Sequence, residues 1–241
     1  MKMLFLELKK EKRTGVFSVM VTVGILGAGY EFADFAVRGE TLLNLPFAPM
    51  EMLLTQLYGM VMVLNLFGMV VAACLSYHME WKENGIKKMC QLPLDLSSMY
   101  VCKFLIIMLA FSCAVFLQNL ALTKIGLSVF PANTFDADMQ IRFAGYSFLT
   151  SLPVLAFMAL AASRFENIWI PLGVGVAGFL SGMALAHSKS IFFLVHPFII
   201  MLKPALAMDT RLEGEVVYAA LAETFLFLLA GAWMVKHKGC E

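Results

Sequence analysis

Apolar residues run through this chain in blocks rather than on alternating faces. Six blocks stand out, at roughly 15–37, 53–77, 100–122, 143–162, 168–186 and 216–235. Each is near the ~20 residues that cross a ~30 Å hydrocarbon core at ~1.5 Å per residue. Polar and charged residues gather between them, so the pattern predicts membrane-spanning helices. A backbone in lipid satisfies its own hydrogen bonds most simply as a helix. The fold class expected is therefore an all-α integral membrane protein with six transmembrane helices, and 1–241 reads as a single domain.

Three segments break the regular pattern. Residues 1–14 precede the first block and form an amphipathic helix in projection. Leu4, Phe5 and Leu8 share a face, while Glu7, Lys10 and Glu11 fall on others. Such a helix lies in the interface with its cations toward anionic headgroups. Residues 78–99 form a short charged connection between spans two and three, too polar to lie in lipid. Between spans five and six, 187–215 includes a twelve-residue apolar stretch, 191–202, too short to span. Pro197 and Pro204 disfavour one straight helix there. It reads as an outer re-entrant segment; a seventh span would place the basic Lys236 and Lys238 outside.

Charge sets the orientation. Of the 18 Lys and Arg residues, twelve fall on the side of the N-terminus, the 78–99 connection and the C-terminus, and six on the other. By the positive-inside rule both termini and the 78–99 connection are cytoplasmic. Nine acids (Glu31, Asp34, Glu40, Glu51, Asp136, Asp138, Asp209, Glu213 and Glu215) lie at or beyond the outer boundary. That face is net negative and attracts cationic solutes weakly. A net charge of +1 gives no sign of a nucleic-acid partner.

Composition agrees with the pattern: 61% of residues are apolar and 15% charged, against ~25% charged in soluble domains. The five cysteines show no zinc-type pairing and read as free thiols. The first block carries no clear cleavage site and reads as a retained span.

Little in the chain suggests chemistry of its own. No G-x-x-x-x-G-K-[ST] loop is present. Gly173, Gly175 and Gly178 match G-x-G-x-x-G, but inside a span and with no preceding strand. Gly178 and Gly182 instead form a small-xxx-small pair suited to close helix packing. Gly24 and Ala28, with Gly27 and Gly29, do the same in span one, and a contact between spans one and five is expected. The four histidines are scattered, and no metal or catalytic set is expected. Ionisable groups within spans are costly, at ~2.5–3.5 kcal/mol each. Glu31 and Asp34, at i and i+3 in span one, and Glu223 in span six are therefore candidates for a substrate path or gate. Lys103 is near enough to the boundary to snorkel. Asn65 reads as an interhelical hydrogen bond.

Glu80, Glu83, Gly85, Lys87, Leu92, Pro93 and Lys103 together resemble a pattern of type-2 ABC exporter permeases. Ile86 stands where that pattern has Thr. The size and the Glu7-x-x-Lys10-x-x-Arg13-x-Gly15 start look most like the lantibiotic-immunity branch. The resemblance implies a coupling helix near 80–92, seated on a separate ABC ATPase present in two copies. ATP and Mg would be bound by that partner, with no cofactor in this chain. It also implies a second permease chain, a bacterial cytoplasmic membrane, and a cationic antimicrobial peptide as cargo. Lipid, polysaccharide or drug cargo, an intramembrane enzyme, and a sensor or scaffold stay open as rival readings.

Overall fold

The computed structural model describes residues 2–44, 48–82, 95–129, 135–185, 194–206 and 210–238, and these are all-helical apart from turns and short connections. In chain order the elements are α1 (Lys2–Glu11), α2 (Val16–Leu43), α3 (Pro49–Met52), a π-helical turn (Leu53–Leu57) and α4 (Tyr58–Trp81). Then come α5 (Leu96–Val129), α6 (Ala137–Arg164), α7 (Trp169–Leu185), α8 (Pro197–Leu206) and α9 (Gly214–Lys238).

Among the described residues, five helical segments are long and apolar enough to cross a membrane: Val16–Leu42, Leu53–Trp81, Leu96–Ser128, Ala137–Arg164 and Gly214–His237. Trp169–Leu185 and Pro197–Leu206 are shorter. At ~1.5 Å per residue, the 17 residues of α7 reach about 25 Å, short of a ~30 Å core. The expected fifth span is thus the short one. The expected second and third spans overrun their predicted ends. Glu80 belongs to the last turn of α4, and α5 begins at Leu96, seven residues before Lys103.

Local chemistry explains several element ends. Gly15 has φ 86°, a left-handed conformation that costs other L-residues ~1–2 kcal/mol, and it turns the chain from α1 into α2. Asp95 opens α5. Its carboxylate accepts from the Ser97 N–H and the Ser98 hydroxyl. Those bonds, the Ser98 one foremost, hold its carboxyl below the ordinary value. Asp136 caps α6 by accepting from the N–H groups of Asp138 and Met139 at 3.0 and 3.1 Å. Thr55 donates back to the Glu51 carbonyl at 2.6 Å within the π-helical stretch.

The core sits between α4 and α6, the two most buried of the long helices, while α2 and α9 are the least buried. α2 packs along α5 and α4, and α9 packs along α6 and α5. α8 is wrapped by α4, α6, α7 and α9, and Phe198, Ile199, Ile200, Met201 and Leu202 are buried there. It is packed inside protein rather than laid on a surface. Pro204 falls in its final turn.

The glycines mark the tightest approaches. A Cβ at Gly24 would sit 3.0 Å from the Ala114 Cα of α5. At Gly178 it would sit 2.3 Å from the Phe198 ring, and at Gly182 3.0 Å from the Phe198 Cβ. Within one chain, therefore, the span-one face serves α5 and the α7 face serves α8. Ala28 is partly exposed on α2.

Candidate functional site

The most concentrated polar chemistry lies where α1 meets the ends of α4 and α5. Lys103 is 0% exposed. Its Nζ lies 2.8 Å from Glu11 Oε1, 3.1 Å from Glu80 Oε1 and 3.2 Å from Glu7 Oε2. It lies 3.4 Å from the Ser76 carbonyl and 5.6 Å from the Tyr77 ring centroid. Lys10 pairs with Glu80 and, at 3.7 Å, with Glu7. The Ser76 hydroxyl donates to Glu11, and Thr14 donates to the same carboxylate. Three helices thus converge on one buried cation, through three carboxylates that are themselves nearly inaccessible.

Lys103 therefore does not snorkel. Two turns inside α5, and walled in by Tyr77 and Ser76, its ammonium is solvated by carboxylates rather than by water. The helix spacing that permits this is simple. Glu7 and Glu11 stand at i and i+4 on α1 and share a face. That face is buried, whereas Leu4, Phe5 and Leu6 are exposed. The amphipathic pattern of α1 presents its apolar side outward, where lipid would lie, and its acids to the protein. The i, i+4 acids were the available signal, and an eye on apolar residues alone passes over them.

Glu80 is a member of this cluster. Glu83, Gly85, Lys87, Leu92 and Pro93 lie outside the described residues. The cluster therefore holds the two helix ends, α4 and α5, that the 83–94 connection joins, together with α1.

A second polar contact ties α2, α4 and α5 deeper in the bundle. Asn65 and Gln118 exchange amide hydrogen bonds at 3.0 and 2.8 Å, and both are buried. Asn65 is thus an interhelical hydrogen-bond partner, as its position in a span implies. Gln118 also reaches the Val23 carbonyl at 3.4 Å. Gly27 makes room for it, since a Cβ there would lie 2.6 Å from Gln118 Nε2.

Glu31 lies just past the middle of α2 and is 0% exposed. Neither of its carboxylate oxygens has a hydrogen-bond partner among the described residues. Asp34 pairs through Oδ1 with Arg38 at 3.2 Å, and its Oδ2 is buried without a hydrogen bond among the described residues. Glu223, on α9, is partly exposed, yet both its oxygens are buried without hydrogen-bond partners among the described residues. A groove of about 510 Å³ opens between α5 and α6. Its walls are mostly apolar, with Asn119, Thr123 and Gln140 bonded to one another along it.

Residues 3–182 match the family model described as ABC-2 family transporter protein. The chain belongs to this family. The match runs from α1 through most of α7, so it includes the Lys103 cluster and the 83–94 connection. Membership in the ABC-2 family makes the chain a multi-pass membrane permease component of an ABC transporter, and it implies an ABC ATPase partner. Among curated proteins none matches the chain.

Proposed function

We propose that this ABC-2 chain is the permease subunit of an ATP-driven exporter that expels a cationic antimicrobial peptide from a bacterial cytoplasmic membrane, giving self-protection of the lantibiotic-immunity kind. The observation that carries the coupling half of this reading is the Lys103 cluster. It fastens α1, the end of α4 and the start of α5 into one unit at the side richer in Lys and Arg. A partner ATPase that seats the 83–94 connection pushes on that unit rather than on a loose loop. The lever arms are then α4, at the centre of the bundle, and α5, which packs on α2. Both termini lie inside, α7 completes the six crossings with its short helix, and α8 forms the re-entrant element.

Two copies of the ATPase and a second permease chain complete the transporter, with ATP and Mg held by the ATPase. Glu31, buried on α2 with no hydrogen-bond partner among the described residues, supports a cationic cargo. An ammonium group brought to it would satisfy a carboxyl that the protein leaves unpaired. The apolar α5–α6 groove favours one alternative within the same class, export of a lipid or drug-like amphiphile.

The test is reconstitution. The chain should co-purify with a soluble ABC ATPase, and ATP turnover in proteoliposomes should rise with cationic peptide. Glu80→Lys should weaken co-purification or uncouple turnover while the chain stays inserted. Turnover that responds to neutral amphiphiles and ignores cationic peptide would refute the cargo. Unchanged co-purification and transport in Glu80→Lys would refute the coupling unit.

A further inference from the structure

A hollow of about 460 Å³ lies between α1 and the end of α4, beside the Lys103 cluster, and shares Lys10 with it. Leu6, Lys9, Lys10, Arg13, Thr14 and Met79 line it. Three of the six are cations and two are apolar, and no carboxylate is among them. The charge division follows from helical spacing. Glu7 and Glu11 share a face of α1 toward the protein and are bound by Lys103, whereas Lys9 on α1 and Arg13 in the turn that follows it are exposed. α1 therefore carries its acids inward and its bases outward. The Thr14 hydroxyl is already donated to Glu11, so polar recognition in the hollow rests on the cations. Lys10 sits at the boundary, engaged with Glu80 and Glu7.

We propose that this hollow binds the headgroup of an anionic phospholipid. Lys9 and Arg13 hold the phosphate, Arg13 with its planar fork. Lys10 adds its field at the rim, and the acyl chains run along Leu6 and Met79. The two apolar residues select lipid over a free anion. They are exposed at 60% and 45%, and inorganic phosphate gives them nothing to pack against. The position suits headgroup depth, because the hollow sits at the end of a spanning helix, and the adjacent Leu4 and Phe5 also lie exposed. The proposal rests on the reading that this end faces the inner leaflet, where anionic lipid is available.

The experiment uses the full-length chain in micelles containing equal amounts of phosphatidylglycerol and phosphatidylcholine. Native mass spectrometry counts the lipid retained. Phosphatidylglycerol should be retained preferentially. Lys9→Gln and Arg13→Gln should each weaken it about fivefold, and together 10- to 30-fold, the value of roughly one surface cation apiece. Lys12→Gln, in the turn after α1 and outside the lining, should change it less than about twofold. Equal loss from Lys12→Gln would mean diffuse charge and overturn the site, as would equal retention of the two lipids. Displacement by inorganic phosphate beyond that by chloride at matched ionic strength would make it a free-anion site and overturn the lipid. If lipid selectivity fails while the ATPase still co-purifies, the hollow is misread and the permease reading stands. If the ATPase never co-purifies but lipid selectivity survives, the reverse holds.

Discussion

Removing the buried ammonium at position 103 tests the central claim about this fold, that a charge cluster and not apolar packing holds α1 in place. At 2.8, 3.1 and 3.2 Å, Lys103 attracts its three carboxylates by roughly 5–6 kcal/mol each at an effective dielectric constant of about 20. Most of that is offset by taking four charges out of water and by repulsion among the acids. The net worth of the assembly is small, but the cost of breaking it is not. Lys103→Met leaves Glu7, Glu11 and Glu80 facing one another with Lys10 as the remaining counter-ion in the cluster. Breaking a buried pair in this way costs ~3–5 kcal/mol. Denaturant unfolding of the purified chain in detergent should show that loss. Hydrogen exchange should show it concentrated in Lys2–Glu11, which detaches before the long helices. Glu11→Gln combined with Lys103→Met should cost less than the sum of the two, with a coupling of ~1–3 kcal/mol. If Lys103→Met shifts stability by less than ~1 kcal/mol and α1 keeps its protection, the cluster is not what fastens the helix.

Three further outcomes follow from local geometry. A Cβ on Gly231 would sit 2.2 Å from the ring of the fully buried Tyr100, so Gly231→Ala should destabilise by ~1–3 kcal/mol in thermal unfolding, and Tyr100→Leu should recover part of it. Asn65→Leu strands the Gln118 amide and should cost ~1–2 kcal/mol, whereas Asn65→Leu with Gln118→Leu should cost less than the two single changes summed, measured by the same unfolding assay. Gly15→Ala forces a left-handed alanine and should cost ~1–2 kcal/mol with loss of α1 protection, while Gly15→Asn should be milder; equal behaviour of the two would mean that φ is not the constraint.

The long helices were legible because a membrane crossing demands an uninterrupted apolar run; five of the six runs in the sequence are long helices, and the fifth in chain order is the short α7. Their ends were less so. Glu80 reads as part of the 78–99 connection and Lys103 as a residue near the boundary, because a charge normally stops a span, yet here α4 continues through Glu80 to Trp81 and α5 begins at Leu96. Each charge is tolerated because the other is beside it, a fact about distance across 23 residues of sequence that no local window contains. The amide of Asn65 was legible as an interhelical contact, whereas its partner Gln118, 53 residues away, was not.

The same reasoning explains why α1 misleads when read for hydrophobicity. In a soluble domain the apolar stripe of an amphipathic helix faces the core. At a membrane surface the apolar solvent lies outside the protein, so the stripe can turn outward at no cost and the polar face is released to make specific contacts. α1 uses that freedom twice. Its acids reach inward to a lysine that would otherwise be a stranded charge, and its bases line a hollow beside exposed Leu6 and Met79. Lys10 belongs to both sides, paired with Glu80 of α4 and lining the hollow. Anything that draws Lys10 outward weakens its hold on Glu80, which sits at the entry to the 83–94 connection. A bound anionic headgroup and a seated ATPase would then act on one carboxylate from opposite sides. If they do, Lys10→Gln should make ATP turnover of the reconstituted complex indifferent to phosphatidylglycerol, and a lipid response that survives Lys10→Gln unchanged would show that the two sites work independently.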